Sequence, residues 1–318
     1  MTDTPDKTGE RVDRRLQVLR ERLEPRVRSA LDGVLDGLGV DPRGSVAALL
    51  SPAFLPAGSL PIHVASALAR RGQAPSESAI DDAVDAALAG YLFAVVIGFL
   101  SDEPPEDPAG KLLAAAALSQ RHAALLGRVV GDHPSFWDLH ESTWTAAFEA
   151  NLLERRILRK DATYGDEELS RVAERFLPIV LPAAALLSAA GAFEQVAPLV
   201  DAMHHAATAA RLADDLADAL RDRRASRYSW VVRRHGGEVS DKELFRQLWF
   251  QGGVSKVLDR ILEEVEAAAD GLRALDLPDT ATVIALDAAR TTERYRDNVD
   301  GLRETVIGGG KQGGAPER

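Results

Sequence analysis

The spacing of apolar residues constrains this chain most. They recur three and four positions apart almost everywhere, alanine and leucine dominate, and alternation of β-branched with polar residues is nearly absent. The spacing predicts helices near 10–38, 43–51, 60–71, 78–101, 108–130, 134–160, 166–190, 193–224, 226–234, 241–274 and 278–305. Breaks are expected at Asp41-Pro42, Pro52 to Pro61, Glu103-Pro104-Pro105, Gly131 to Pro134 and Gly236-Gly237. None is long enough to link two domains. Stretches 86–100 and 176–192 are apolar nearly all round, which places them in the middle of a bundle. Both fall short of the roughly 20 residues of a membrane span. The expectation is an all-α protein, one large helical bundle over 13–307. The polar segment 1–12 and the Gly-rich tail 308–318 are expected to be disordered.

Composition removes several chemistries. There is no cysteine, so disulfides, thiolate nucleophiles and Cys-based zinc sites are excluded. A net charge of -11 argues against a nucleic-acid partner, whose phosphates need clustered Lys and Arg. A small phosphorylated substrate stays compatible, because a bound cation inverts the local field. The opening MTDTPDKTGERVDRR lacks an apolar signal core, and a cytoplasmic protein without a transmembrane segment is expected. His204 and His205 are adjacent and face different directions on a helix, and the other histidines show no ligand spacing.

The most informative string is Asp214-Asp215-Leu216-Ala217-Asp218-Ala219-Leu220-Arg221-Asp222. Asp214, Asp218 and Asp222 stand at i, i+4 and i+8. Each four-residue step drifts by only about 40° around a helix, so the three carboxylates climb one face. Like charges at that spacing oppose the helix by roughly 0.2–0.5 kcal/mol per pair. Arg211 and Arg221 can offset part of this, and Mg²⁺, which prefers hard carboxylate oxygens, can offset more. On the N-terminal side the same face runs through Ala210, Ala206 or Ala207, Met203 and Leu199, so the acids cap an apolar stripe. An anionic head with a greasy tail matches that gradient. A solvated acidic face paired with Arg211, Arg221 and Arg223 is the alternative.

A second acidic cluster, Asp102-Glu103-Pro104-Pro105-Glu106-Asp107, ends the apolar helix expected at 78–101. If that helix runs roughly parallel to 193–224, both clusters open at one mouth of the bundle; an ordinary acidic Pro-rich loop is the alternative. Asp81-Asp82-Ala83-Val84-Asp85 also spells a metal-binding string, but it follows Ser78 at a helix start. Acids there favour the helix dipole, so a capping role is expected.

In order and spacing these residues resemble class I isoprenoid synthases, bacterial terpene synthases in particular. That family pairs an aspartate-rich motif with a later N-D-x-x-S-x-x-K/R-E motif. Asp214 takes the Asn position of the latter, Asp218 the Ser position, Arg221 the basic position and Asp222 the Glu position. The family also carries an Arg-Tyr pair about 80 residues further on, matched by Arg294-Tyr295, and an arginine some 45 residues upstream, matched by Arg171 or Arg175. Asp102, Glu103 and Glu106 stand where the first motif is expected.

The resemblance implies a magnesium-dependent terpene synthase or cyclase with three Mg²⁺ ions between the two acidic clusters. Asp102, Glu103, Glu106, Asp214, Asp218 and Asp222 would be the ligands. Arg171 or Arg175, together with Arg221, Arg227, Arg294 and Tyr295, would hold the diphosphate of a prenyl substrate. A homodimer is compatible with it. Phe99, Trp137, Trp144, Phe148, Phe176, Trp249 and Phe250 are the aromatic candidates for a cation-stabilising pocket.

A rival within the superfamily reads Asp218-x-x-x-Asp222 followed by Ser226-Arg227-Tyr228 as the D-x-x-x-D-x-x-x-G-R-x-Y pattern of squalene and phytoene synthases. Asp214-Asp215-x-x-Asp218 also spells the second motif of chain-elongating prenyltransferases. A non-catalytic helical binding protein and a degenerate synthase are the remaining alternatives.

Overall fold

A computed structural model describes residues 5–37, 56–102, 107–159, 163–235 and 239–308. The helices are α1 (Pro5–Glu21), α2 (Pro25–Gly37), α3 (Leu60–Arg70), α4 (Glu77–Asp102), α5 (Pro108–Val130), α6 (Pro134–Leu158) and α7 (Asp166–Ala173). They continue as α8 (Leu181–Ala189), α9 (Val196–Arg224), α10 (Trp230–His235), α11 (Asp241–Phe245), α12 (Gly253–Ala274) and α13 (Pro278–Gly308). Among the described residues there is no strand, and the protein is all-α as the spacing predicts. The helix expected at 43–51 and the tail beyond Gly308 lie outside the described residues.

Proline and capping side chains set most boundaries. Pro25, Pro108, Pro134 and Pro278 each open a helix, where the missing N–H costs nothing. The Asp107 carboxylate accepts the Gly110 N–H at 2.9 Å, His133 Nδ1 accepts that of Phe136 at 3.3 Å, and the Ser76 hydroxyl accepts that of Ala79 at 3.2 Å.

Several expected boundaries are corrected by the same logic. The helix expected over 10–38 is two, because Pro25 cannot continue α1, and α1 begins at Pro5, inside the segment expected to be disordered. The helix expected over 166–190 contains a tight 3-10 segment, Glu174–Val180, around Pro178, before α8 resumes with Pro182 in its first turn. The helix expected over 241–274 passes through a π-type turn, Arg246–Phe250, and restarts after Gly252, whose φ of 83° suits glycine.

The bundle is built around α8, which touches α3, α4, α5, α6 and α9. Leu181 to Ser188 are all buried. The stretch Asp166–Ala189 is long and apolar enough to cross a membrane, but 72% of its most apolar window is buried inside the bundle. It is a core segment here, as is the inner part of α4, where Ala83, Val84, Ala86, Leu88, Ala89 and Leu92 are buried.

Asp81-Asp82-x-x-Asp85 does more than cap α4. Ser76, not Ser78, supplies the N-cap. Arg11 of α1 donates to Asp81 at 2.7 Å and to Glu77 at 2.9 Å. Arg15 donates to Asp81 at 3.0 Å and clasps both oxygens of the fully buried Asp85. Fork-shaped guanidinium–carboxylate pairing of this kind fixes direction as well as distance. The string is the clasp that seats α1 on α4.

Candidate functional site

Helix α9 carries the acidic run, and its phase decides what each aspartate does. The stripe Leu199, Met203, Ala206, Ala207 and Ala210 is fully packed in the core. One helical position apart, Asp215 turns inward and Asp214 does not. Asp215 pairs with Arg211 one turn back and accepts the Trp230 N–H at 2.8 Å, tying α10 to α9. Burial pushes Asp215 up to about 6 against the pull of Arg211 and that N–H. Asp214, Asp218 and Asp222 border a cavity of about 320 Å³, which the buried Asp215 also lines.

That cavity lies where α4, α6 and α9 end together. Its walls are Gly98 of α4, Asn151, Glu154, Arg155 and Leu158 of α6, Arg175 of the 3-10 segment, Arg211, Asp214, Asp215, Asp218, Arg221 and Asp222 of α9, and Arg227. Five carboxylates meet five guanidinium groups there, so the described wall is close to neutral. Glu154 is the hub: its carboxylate takes Arg175 on one side and the buried Arg211 on the other. Burial alone would raise Glu154, but Arg211 and Arg175 outweigh it and hold it at about 2. Arg175 also reaches toward Asp214, at 3.8 Å. Arg221 pairs with Asp218.

Burial raises Asp214 above the ordinary aspartate value, Arg175 and Arg211 oppose that, and Asp218 adds to it. Burial likewise raises Asp222. Carboxylates so placed gain from any further cation nearby. The donor set, three hard carboxylate oxygens on one helix face beside arginines, fits Mg²⁺ by ligand type. Among the described residues no three acidic or imidazole groups converge into a metal cage.

The structure separates the other expected site residues. Arg175 lines the cavity, whereas Arg171 is exposed on α7 and does not. Arg227 lines it from just beyond α9. Tyr295 of α13 is buried and does not line the cavity; burial raises its phenol, Arg294 opposes that, and Asp218 and Asp214 add to it. Tyr91 of α4 is pushed up to about 12 by burial, with a contribution from Asp214. Arg294 is exposed, its guanidinium 5.6 Å from the Tyr295 ring centre. Helix α4 carries Asp102 one turn past Gly98, at the cavity's end of the bundle; the Asp102 side chain, Glu103 and Glu106 lie outside the described residues.

The stripe below the aspartates is closed by core packing, so the described cavity is polar and holds no open apolar chamber. Among the aromatic candidates with described side chains, none lines it. Trp144 and Phe148 instead cluster with Phe93, at 5.0 and 6.3 Å between ring centres. Sequence reasoning missed Glu154 and Arg155 as cavity residues, and took Arg211 only as a charge partner of the acidic run. The one local signal of Glu154 and Arg155 is the charged run Glu154-Arg155-Arg156 inside an otherwise amphipathic helix.

No family model matches this chain, and no curated protein or solved structure matches it either.

Proposed function

We propose that the chain is a magnesium-dependent enzyme of the class I isoprenoid synthase type that ionises a prenyl diphosphate and releases diphosphate. One observation carries the reading: Asp214, Asp218 and Asp222 share a cavity with Arg155, Arg175, Arg221 and Arg227. Carboxylates on one wall suit a hard cation, and guanidinium groups on the others suit phosphate oxygens. Asp214, Asp218 and Asp222 would hold magnesium, with Asp102, Glu103 and Glu106 as the expected opposing ligands. Bound there, magnesium supplies positive charge to the departing diphosphate. Arg175 and Arg227 donate to diphosphate oxygens, and Tyr295 stands by as a neutral donor, its phenol protonated at neutral pH as tyrosine ordinarily is. The protein's part is to hold the head group and stabilise charge as the carbon–oxygen bond breaks.

A second reading, condensation of the squalene and phytoene synthase kind, draws support from Ser226. Its φ of 55° is the left-handed conformation that glycine adopts most easily, at the position where that pattern has glycine. Arg227 follows it into the cavity.

The test is incubation of purified protein with Mg²⁺ and C10, C15, C20 or longer prenyl diphosphates, with products read by mass spectrometry. Cyclic or linear products of one substrate support ionisation and cyclisation, and products joining two substrates support condensation. No product from any substrate, or turnover that survives Asp218→Ala, removes the proposal.

A further inference from the structure

A second cavity, of about 640 Å³, lies where the first halves of α6 and α9 meet the 3-10 segment Glu174–Val180. Leu139 of α6, Leu177 of the 3-10 segment, Phe193 just before α9, and Val196, Ala197 and Val200 of α9 supply an apolar floor. The two cavities are separate. On α9 this one ends at His204, seven positions and roughly 10 Å before Arg211, where the other begins. Glu174 and Arg175 are neighbours in the 3-10 segment, yet Glu174 lines this cavity and Arg175 the other.

The charged groups around the floor have one sign. Glu174, Glu194 and Asp201 line the cavity, and none of the three makes an ion pair or a side-chain hydrogen bond among the described residues. No described lysine or arginine lines it. The arginines closest to these acids along the chain or by contact are engaged elsewhere. Arg175 pairs with Glu154, Arg71 donates to the Gln195 side chain and the Leu275 carbonyl, and Arg171 lies beside Glu168. The start of α9 brings about half a positive charge, against three full negative ones. His204 adds a further acceptor. Its Nε2 lies 2.9 Å from the Ser170 carbonyl, which can only accept, so Nε2 carries the proton and the neutral ring keeps Nδ1 as an acceptor.

From this we infer that the second cavity binds an organic ammonium ion carrying an apolar chain, its body on Leu177, Val196 and Val200 and its head among Glu174, Glu194 and Asp201. The volume lies within the roughly 300–1,000 Å³ of small-molecule sites, whose usual build is an apolar lining with a few polar groups. Phe193 offers a ring to the cation, and His133, packed on it at 5.2 Å between ring centres, holds that ring in place. A neutral apolar molecule leaves the three carboxylates unanswered, and an anion is repelled by them. A second copy would bring a net charge of -11 to an acidic site, and the ten lining residues fall well short of the roughly 20–30 that a stable protein interface takes from each side. The inference uses no residue of the proposed reaction, so either can fail alone.

The experiment is calorimetric titration of the full chain at pH 7 with decylammonium, which stays charged there because alkylamines titrate near the lysine value. Decanol, decanoate and methylammonium are the controls. Decylammonium is expected to saturate one site per chain and to bind about tenfold or more tightly than each control. Ala197→Trp, at an exposed position of the lining, puts an indole into the cavity and is expected to weaken binding about tenfold or more. Glu174→Gln with Asp201→Asn is expected to weaken it about tenfold, since one exposed ion pair contributes up to about fivefold. Asp259→Asn with Glu266→Gln, exposed on α12, makes the same change in net charge and should leave binding unchanged. Asp218→Ala, in the other cavity, should also leave it unchanged. Thermal unfolding checks that each variant is folded. No saturable binding, decanol bound as tightly as decylammonium, or equal loss on Asp259→Asn with Glu266→Gln overturns the inference. Loss on Asp218→Ala overturns it too, by moving the ligand to the other cavity. So does self-association that Ala197→Trp abolishes, or a basic amphipathic peptide that binds where decylammonium does not; these give the cavity to a second copy or to a protein partner.

Discussion

Glu154 is the residue whose removal says most about how the cavity is held together. Its carboxylate bridges Arg175 and Arg211, and those two guanidinium groups hold it at about 2 although burial works against them. The gap from the ordinary 4.5 corresponds to about 3 kcal/mol, at about 1.4 kcal/mol per pKa unit. Cutting one partner from a buried ion pair costs about 3–5 kcal/mol by independent reasoning, because the other charge is left buried. Arg211 keeps Asp215 as a partner, which favours the lower figure. Glu154→Gln keeps the shape and removes the charge, so it is expected to lower stability by about 3 kcal/mol at pH 7. The sign with pH follows from a carboxylate whose folded pKa is depressed. Its contribution is complete above about 4.5 and is lost as pH falls toward 2. The difference between wild type and Glu154→Gln should therefore be largest above pH 5 and shrink on acidification. Urea unfolding followed by tryptophan fluorescence at several pH values measures it. A loss under about 1 kcal/mol at pH 7, or one that does not change between pH 6 and pH 3, would refute the hub.

Three further outcomes are expected. Arg15→Ala leaves the fully buried Asp85 without its guanidinium partner, so it is expected to cost about 3 kcal/mol or more and to raise hydrogen exchange across α1 first. Ser226→Gly relieves a left-handed φ of 55° and is expected to stabilise by about 0.5–1 kcal/mol, read as a higher urea midpoint with unchanged slope. Arg175→Ala is expected to weaken binding of inorganic diphosphate in the presence of Mg²⁺ by tenfold or more, while Arg171→Ala leaves it unchanged, in calorimetric titration; equal effects would contradict the cavity assignment.

What was legible in the sequence follows from which interactions are local. The all-α class and the acid-bearing face of α9 rest on helical periodicity, and the Arg211–Asp215 and Arg221–Asp218 pairs are one turn apart. The role of Asp81-Asp82-x-x-Asp85 depends on Arg11 and Arg15, up to 70 residues away, so a string that reads as capping proves to be a clasp. Arg171 and Arg175 are one turn apart and equivalent by spacing. Only the change from α7 to the 3-10 segment turns Arg175 into the cavity and leaves Arg171 outside. Glu154 carries no motif, because its partners Arg175 and Arg211 lie 21 and 57 residues further along the chain. The tail pocket implied by the Leu199–Ala210 stripe failed for a related reason: periodicity marks an apolar face but not whether another helix already covers it.

The central claim is that the acid face of α9 ionises a prenyl diphosphate, and diphosphate release measures that most directly. Purified protein with Mg²⁺ is expected to release one inorganic diphosphate for each prenyl diphosphate consumed in the first step, to stop on chelation by EDTA, and to lose release on Asp218→Ala while remaining folded. Release that continues in EDTA, or in folded Asp218→Ala, would contradict the account.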